Sequence, residues 1–589
     1  MESIDADVAM TFSEDDFNSD LMNEFAVDLS LSELERIETY TTATIDAQRL
    51  VHVRLMNDAI RKYSMDDIKE HILPLLEEVS NDPVEAIQIE LCTVFGTIVS
   101  TFAEDNMDDG CGVAEGLILP LFWSMVMKNC DSKELVDAYL HFLTVIVPLF
   151  PEAFLMEHVV STIIELMHSN SDSHQVFACR CLPCVVHFLS PTTNTNYFLS
   201  ELSVLATIGS LEVLKALPSA LASLSGHIDV LCEPTLVKLF ASLLAHKLWV
   251  VRQSAVHSVY PLLEGLSEGQ SGVLQQFTDM ATDTSKWVRQ AVKEQAGYVL
   301  SCLPSSLVTE ALLQLYCSVP DAMEETEDFQ LSYACAFTFP AVLTALGAAQ
   351  WPRLQGCFHR LTEVRINTVK QTLAASVGVV AGVVGAEETE KELLSLLLGY
   401  LNDDTAEVVI AALKSLPSFM REMGEAGQTE IGKSVEALWS KLEDNTFNWR
   451  VQKQMLSEVT ACMADTCKPV AVTYWIRVAN EGLVNATAAV REEAVKCVIA
   501  LVKRMSESGW EEAVAETAFL AQLREKSYLV REGVVDVIEG LLKSVALQEE
   551  AKKALVACLQ GLAEDQVVNV KELAEGVMAE WRSKEPDIL

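Results

Sequence analysis

The chain has 589 residues, 50% of them hydrophobic, and a formal net charge of −43 at pH 7. Glycine and proline are sparse, at 25 and 17 residues, which favours a helical protein with ample material for a core. So large a negative charge repels phosphate backbones and anionic lipid. We therefore expect neither nucleic acid nor a membrane surface to be a partner.

The N-terminal residues 1–30 carry nine acidic residues interleaved with Met, Phe and Leu, as in FSEDDFNSDLMNEF. This composition predicts a disordered acidic tail that either binds a partner or only keeps the chain soluble. The segment has no Lys or Arg and no apolar core of signal-peptide length, and the 15 cysteines are scattered through apolar stretches. Together these features predict free thiols in a reducing compartment, with a cytoplasmic location and the nucleus as a second one.

From residue 31 onward the hydrophobic pattern repeats as helix, turn, helix and short loop. Val251 in WVVRQ and Val288 in WVRQ occupy the same position of this pattern, which recurs about every 40 residues, the period of HEAT-type helical hairpins. The register residues are Val213, Val251, Val288, Leu331, Val369, Val408, Val451, Val490, Val530 and Val570, while Ile87 and Val176 fit less cleanly, with one diverged unit between them. The pattern predicts an all-α solenoid of roughly fourteen such repeats over residues 31–585.

A second regularity surrounds the register residue. A polar residue often stands five positions before it, and an Arg or Lys often follows it directly. The Asp can cap the second helix, and the Arg can reach the Asp of the neighbouring repeat, so that the pairs form a ladder along the inner layer. We expect the ladder to include Asp283, Arg289, Arg252, Asp403, Arg531 and Asp565.

The best candidate for a metal site is FACRCLPCVVHF, with Cys179, Cys181, Cys184 and His187. These residues fall within one amphipathic helical stretch, whereas a tetrahedral zinc site usually takes its ligands from two elements. No second Cys/His pair stands at the usual spacing. The favoured interpretation is buried cysteines, with a metal or redox site as the alternative.

Three tryptophans, Trp249, Trp287 and Trp449, precede second helices and are predicted to lie in the turn within the hairpin. Turns along one edge of a solenoid form a continuous ridge, which is a common partner surface. Exposed Trp and Arg side chains are typical of interaction hot spots. These positions are therefore candidates for partner binding.

Residues 329–352, FQLSYACAFTFPAVLTALGAAQWP, lack charge over a membrane-spanning length. Pro340 and Gly347 interrupt the stretch, and no basic flank follows the positive-inside pattern. A buried helical hairpin is therefore favoured over a membrane span.

No spacing in the sequence argues for catalysis. There is no GxxxxGK[ST] phosphate loop, GxSxG elbow or HExxH site. None of the eleven histidines is followed by Glu, which excludes the iron-binding His-Glu dipeptides of HEAT-like lysine hydroxylases. We expect no catalytic residues, no metal and no cofactor.

Several segments resemble regulatory subunits of phosphatase 2A-type enzymes. SKWVRQAV, LWVVRQSAV and LERIETYTTATIDAQRLVHVRLMNDAIRK are similar to the family of regulatory subunit 1 of protein phosphatase 4. The stretches 393–424, 442–465 and 488–505 resemble repeats of the phosphatase 2A A-type scaffold. The resemblance implies a non-catalytic subunit that binds a serine/threonine phosphatase catalytic subunit, with further regulatory subunits or phosphoprotein substrates as additional partners.

The resemblance also implies where binding would occur. The late repeats, residues 393–585, would hold the catalytic subunit. Trp449 and Arg450 match the gripping turn, and Arg491 belongs to the next inner helix. Residues 446–448 lengthen that turn, and Gln452 stands where the scaffold has arginine.

Two other functions stay open beside this one. The first is the constitutive phosphatase 2A A-type scaffold, whose length suits this chain. The second is a nuclear-transport-like adaptor whose acidic inner surface binds basic cargo. An enzyme is the third and least supported reading.

Overall fold

The computed structural model describes residues 27–28, 30–321, 329–443, 449–463, 469–507, 526–544 and 549–584. Within these ranges the chain forms helices joined by short turns, and no strand occurs. The predicted all-α class is confirmed. The acidic tail predicted for residues 1–30 lies almost entirely outside the described residues and stays a prediction.

The chain divides into two compact units, Met1–Val292 and Lys293–Leu589. In both units the repeating element is a first helix, a turn and a second helix. Fourteen second helices lie within the described residues, in agreement with the predicted number of repeats. In chain order they are α1 Asp46–Lys62, α2 Glu85–Asp105, α3 Lys133–Ile146, α4 Asp172–Val185, α5 Leu211–Ser223, α6 Trp249–His257, α7 Lys286–Cys302, α8 Phe329–Leu346, α9 Asn367–Val384, α10 Ala406–Arg421, α11 Trp449–Cys462, α12 Ala488–Glu507, α13 Tyr528–Ser544 and α14 Val568–Lys584.

The first helices are less regular, because several contain a π-helical turn. The uninterrupted ones are Glu33–Tyr40, Glu233–Leu244, Gln270–Asp279, Glu310–Cys317, Trp351–Glu363, Glu425–Glu443, Pro469–Leu483 and Glu549–Leu562. The interrupted ones carry their π-helical turns at Ile68–Ile72, Ala114–Ile118, Met156–Val160, Asn194–Leu199 and Thr389–Leu393. The α-helical segments that flank these turns are Met65–Asp67, Leu76–Val79, Met107–Val113, Leu119–Lys128, Glu152–Leu155, Ser161–Met167, Pro191–Thr193, Ser200–Ile208, Ala386–Glu388 and Leu394–Leu401. Val259–Gly265 continues α6 after a break.

Packing within each unit proceeds from one second helix to the next. In the first unit α1 packs on α2, and the series continues through α6; in the second unit the series runs from α8 to α14. The predicted register residues occupy the third position of these helices and are buried, from Val213 at 0% to Val530 at 5% exposure. Burying one such side chain contributes roughly 1.5–3 kcal/mol, so each repeat is stabilised chiefly by its neighbours.

The register prediction is wrong at Val176. This residue is half-buried and is the fifth residue of α4, because the helix begins earlier, at Asp172. The diverged repeat predicted between Ile87 and Val176 is the one that contains α3, whose third residue, Leu135, is fully buried.

The turn before the second helix is closed by side chains. Asp283 Oδ1 accepts a hydrogen bond from the Ser285 amide, and Asp403 and Asp565 accept in the same way from the residue two positions on. These aspartates therefore close a turn ahead of the helix, and the prediction that they cap the helix itself is wrong. The backbone amide within the turn thereby donates its hydrogen bond to the aspartate carboxylate, and the aspartate is not the N-cap residue of the helix.

The uncharged stretch 329–352 does fold as a helical pair, α8 followed by Trp351–Glu363, bent by 116°. The helix continues through Pro340 and ends before Gly347, whose φ of 79° suits a residue without a side chain. The prediction that the stretch is buried is only half right, because Tyr333 and Phe337 are 42% and 52% exposed.

By length and composition alone, two further described stretches could cross a membrane, namely α2 and Met107–Lys128. About half of each apolar window, 50% and 44%, is buried inside the protein. α2 packs against α1, α3 and the segment that follows it. The absence of a membrane partner stays a prediction.

Candidate functional site

The inner layer of the second helices carries charged links between repeats. Arg252, the fourth residue of α6, donates from Nε to Asp283 Oδ2 over 2.8 Å and from Nη2 to Oδ1 over 2.7 Å. Its Nη1 donates to the carbonyl of His246 in its own turn. The Arg252 guanidinium thus contacts both its own turn and the turn of the next repeat. Its contact with Asp283 is bidentate, a geometry that strengthens such pairs.

Equivalent links recur at other junctions. Arg531 binds Asp565 through Nε and Nη2, over 2.6 and 2.9 Å. Lys370 Nζ lies 3.0 Å from Asp403 Oδ2. Arg49, which the sequence prediction missed, binds Asp82 over 2.6 and 3.2 Å, because its register position in α1 is the polar Gln48 and gives no apolar signal.

The link at Asp283 is largely shielded from water, since 14% of the Arg252 and 11% of the Asp283 side chain is exposed. The hydrogen bonds from the Arg252 guanidinium hold the pKa of the Asp283 carboxyl below its ordinary value, against the opposing effect of burial. Asp82 acts on Arg49 in the reverse sense and raises the pKa of that guanidinium. Both effects favour the charged pair.

Two predicted residues lack an observed carboxylate partner. Arg289 donates to the carbonyl oxygens of Asp283 and Thr284, and Arg491 donates to those of Asn485 and Ala486. The positions where their next-repeat partners would stand lie outside the described residues. The observed contacts of Arg491 hold its own turn. Its predicted role in binding a partner stays a prediction.

One junction has an uncharged link. Asn485 Nδ2 donates to Gln452 Oε1 over 3.2 Å, and Gln452 is 4% exposed. Asn485 Oδ1 still accepts from the Thr487 amide as the aspartates do. A pair of amides has therefore replaced the Arg–Asp pair without changing the turn.

The tryptophans occupy the first turn of second helices. Trp249 and Trp449 begin α6 and α11, and Trp287 is the second residue of α7. The prediction that they lie in the preceding turn is therefore off by one or two residues. Trp249 and Trp287 are 40% and 45% exposed, and the Lys286 ammonium lies 4.6 Å from the Trp287 ring centroid.

At α11 the exposed Arg450 guanidinium lies 4.6 Å from the centroid of the half-buried Trp449 ring. Such a cation–π contact holds the two side chains together on the surface. Nearby, Leu438, Lys441 and Val451 line a depression of about 150 Å³. Residues 446–448, which were predicted to lengthen the preceding turn, lie outside the described residues.

Further apolar side chains are exposed at equivalent turns, and sequence reasoning missed them because they are not tryptophans. We call the exposed apolar and aromatic residues at these turns, together with the half-buried Trp449 and with Arg450, the turn-side surface. In the first unit it comprises Ile208, Leu211, Leu248, Trp249 and Trp287, and in the second unit Trp449, Arg450, Val484, Tyr528, Leu529 and Val568.

Two of the three cysteines of the candidate metal site are core residues, and the third, Cys184, is half-buried. Cys179 and Cys181 are buried within α4, and burial raises the pKa of the Cys179 thiol to about 12. The His187 ring packs edge-on against His227 at 4.2 Å. Among the residues that the structure describes, no three His, Cys, Asp or Glu side chains come together as metal ligands, and their fourteen cysteines are free.

Comparison with solved structures defines the class of the fold. A crystal structure of importin beta superposes with a TM-score of 0.60 at 12% identity, covering 93% of this chain and 74% of that one. Yeast importin-beta gives 0.55 at 11% identity, covering 93% and 73%. The chain is a HEAT-type α-solenoid, as predicted.

Comparison of sequences is more specific. Residues 335–438 match the family model of the protein phosphatase 4 regulatory subunit 1 middle domain. Serine/threonine-protein phosphatase 4 regulatory subunit 1 of Homo sapiens and of Mus musculus are each 29% identical over 205 residues, which is 34% of this chain and 21% of either relative. The resemblance inferred from the sequence is thus confirmed, over about a fifth of the relatives' length.

Proposed function

We propose that the chain is a non-catalytic regulatory or scaffolding subunit that binds a phosphatase 2A-type serine/threonine phosphatase catalytic subunit, of the phosphatase 4 kind. The similarity over 205 residues to regulatory subunit 1 of phosphatase 4 carries the proposal. The likeness to importin beta supports the fold alone.

The catalytic subunit would bind the part of the turn-side surface that lies in residues 393–585. Trp449 and Arg450 form an aromatic and cationic pair there, beside a depression that can receive a side chain. Aromatic and Arg side chains dominate the energy of protein interfaces. Tyr528 and Leu529 present further exposed apolar surface at a later turn of the same unit.

The remaining repeats would hold substrates or further subunits. A tethered substrate meets the catalytic subunit at a raised effective concentration, so the scaffold accelerates dephosphorylation without adding catalytic groups. The exposed turns of the first unit, including Trp249 and Trp287, are the expected docking positions for such partners. A cytoplasmic location, with the nucleus as a second one, remains part of the proposal.

Co-purification with recombinant phosphatase 4 and phosphatase 2A catalytic subunits tests the function. We expect phosphatase 4 to be retained, and the double variant Trp449→Ala, Arg450→Ala to weaken binding about tenfold or more. A matched control replaces an exposed aromatic and an exposed Arg elsewhere, Tyr197→Ala with Arg54→Ala, and should bind normally. Unfolding midpoints of both variants establish that the fold is intact.

The other outcomes separate the alternatives. Preferential retention of phosphatase 2A would indicate the constitutive A-type scaffold. Retention of a small GTPase and basic cargo, without either phosphatase, would contradict the proposal in favour of a transport adaptor. Normal phosphatase binding by the folded double variant would reject the site while leaving the function standing.

A further inference from the structure

A groove with a volume of about 650 Å³ crosses the exposed faces of three consecutive second helices in the second unit, α8, α9 and α10. α9 packs between the other two. We call this feature the α8–α10 groove. Its lining includes Tyr333 and Phe337 on α8, Gln371 and Val379 on α9, and Glu407 and Lys414 on α10.

The groove exposes aromatic and apolar surface. Phe337 is 52% exposed, Val379 49% and Tyr333 42%. The Tyr333 and Phe337 rings stack with centroids 6.1 Å apart, and Tyr298 lies 6.4 Å from Phe337. A contiguous apolar patch of this kind on a soluble surface usually marks an interaction site.

The groove is also nearly free of charge. In a chain with a net charge of −43, α8 and α9 carry only one charged residue between them, Lys370, which is paired with Asp403. Aromatic enrichment combined with charge depletion is the composition of an interface core. The uncharged stretch noted in the sequence therefore combines a packing role with the composition of an interaction surface.

The two charges in the lining stand on one wall. Glu407 and Lys414 are both exposed and lie on α10, seven residues apart, which is about 10.5 Å along a helix. No ion pair of Glu407 occurs among the described residues. A ligand that spans the groove can therefore place a basic group at one end and an acidic group at the other.

The hydrogen-bonding groups of the groove indicate which backbone it accepts. The Thr372 and Ser376 hydroxyls donate to carbonyls of their own helix, those of Thr368 and Leu373. The Gln371 amide and the Tyr333 and Thr368 hydroxyls remain to pair with a ligand's backbone, and these are fewer groups than the successive amides and carbonyls of an extended peptide would need. An extended peptide would leave its amides unpaired, whereas a helix satisfies its own.

We propose that the α8–α10 groove binds an amphipathic helix of a partner protein. Its apolar residues, spaced i, i+3, i+4 and i+7, pack on Phe337, Tyr333 and Val379. An acidic residue near its N-terminus faces Lys414, and a basic residue two turns later faces Glu407. This charge order suits the helix dipole and makes the bound helix antiparallel to α10.

Displayed peptide libraries test the proposal with the full chain as the target. The probe library has peptides of about 18 residues, enough for a stable bound helix, with the apolar and charge pattern fixed and the other positions varied. A control library keeps the same fixed pattern except for a proline at its centre, which breaks the helix. We expect binders from the first library only, with helical circular dichroism in the complex.

Substitutions then locate the binding. Phe337→Asp or Val379→Asp should weaken the selected peptides about tenfold or more, whereas Val204→Asp, at a site of matched 50% exposure in the first unit, should not. Failure to obtain binders, binders only from the proline library, or binding unchanged by Phe337→Asp would each overturn the proposal.

Two further measurements exclude other occupants. Loss of a dimer on Phe337→Asp, seen by analytical ultracentrifugation, would assign the groove to a second copy of the chain. Peptide binding that appears only after residues 1–26 are removed would assign it to the chain's own acidic segment. Either result would overturn the proposal that the groove binds a partner's helix. Neither result depends on whether a phosphatase binds.

Discussion

Arg252 and Asp283 are 31 residues apart in sequence and are joined by two hydrogen bonds of 2.8 and 2.7 Å. The same carboxylate accepts the Ser285 amide, so Asp283 belongs to the turn of one repeat and to the link with the repeat before it. Stability in this protein is therefore local and shared between neighbours. Opening energies from hydrogen exchange measure it better than a single free energy of unfolding.

The buried and the exposed inter-repeat pairs of α1 should differ in their contribution. Arg49 pairs with Asp82 at 11% and 6% side-chain exposure, and Arg54 pairs with Glu90 at 59% and 25%. Arg49→Ala leaves a buried carboxylate unpaired and should lower the local opening free energy by roughly 2–3 kcal/mol. Arg54→Ala should cost less than about 1 kcal/mol. Equal decreases in the opening free energies of α1 and α2 for the two variants, measured by hydrogen exchange, would contradict this explanation.

The link at Asp283 should weaken in acid. Its pKa is lowered in the folded protein, chiefly by Arg252, so it contributes stability above the unfolded value of about 3.9. That contribution is lost as the pH falls through the lowered native pKa. The destabilisation by Arg252→Ala should therefore be largest near neutral pH and shrink below about pH 4. Hydrogen exchange at stepped pH measures this, and a constant difference would argue against an ionic contribution.

Two glycines of α9 should respond oppositely to alanine. At Gly378 an added Cβ would lie 2.5 Å from the Ser415 carbonyl oxygen on α10, whereas at Gly382 no atom lies within 4 Å. Gly378→Ala should lower the local opening free energy of α9 by about 1–3 kcal/mol, because the added methyl group forces α9 and α10 apart. Gly382→Ala should stabilise by up to about 1 kcal/mol through helix propensity.

Local opening energies of α9 amides report both changes. A stabilising Gly378→Ala would show that α9 and α10 are not packed as closely as described. A destabilising Gly382→Ala would show that its surroundings are occupied.

The amide link between Gln452 and Asn485 can be converted into a charged one. The double variant Gln452→Arg, Asn485→Asp should match the Arg–Asp junctions, while Gln452→Arg alone places a buried guanidinium opposite an amide. We expect the single variant to be destabilised and the double variant to recover, with a coupling of about 1–3 kcal/mol in the double-mutant cycle. Additive effects would mean that the two side chains do not interact.

Much of the fold could be predicted because one apolar position repeats. Val251 and Val288 share a sequence context, and the third position of every later second helix through Val570 is buried as expected. The error at Val176 arose because α4 begins two residues earlier than the local pattern indicated. The repeat of α3 was predicted only as a diverged unit without a register residue, because it lacks both the Asp and the Arg that mark other junctions.

The candidate sites were less predictable, because exposure depends on neighbouring helices. Trp249 and Trp287 were recognised as surface residues from their shared motif, and their exposure agrees with that expectation. Phe337 was assigned to the core because its stretch is uncharged, and sequence alone does not show which face of α8 remains uncovered. Arg491 was assigned to a partner, and only its carbonyl acceptors reveal that it holds a turn.

Asp283 and Asp565 each close the turn of their own repeat and bind an arginine of the repeat before it. A repeat moved to another place in the chain would keep both contacts only if its new neighbour carried the matching group. The amides Gln452 and Asn485 stand at one junction instead, and the repeat of α3 has neither the Asp nor the Arg. The repeats are therefore fitted to their own neighbours, and the side chains of the turns help to fix their order along the chain.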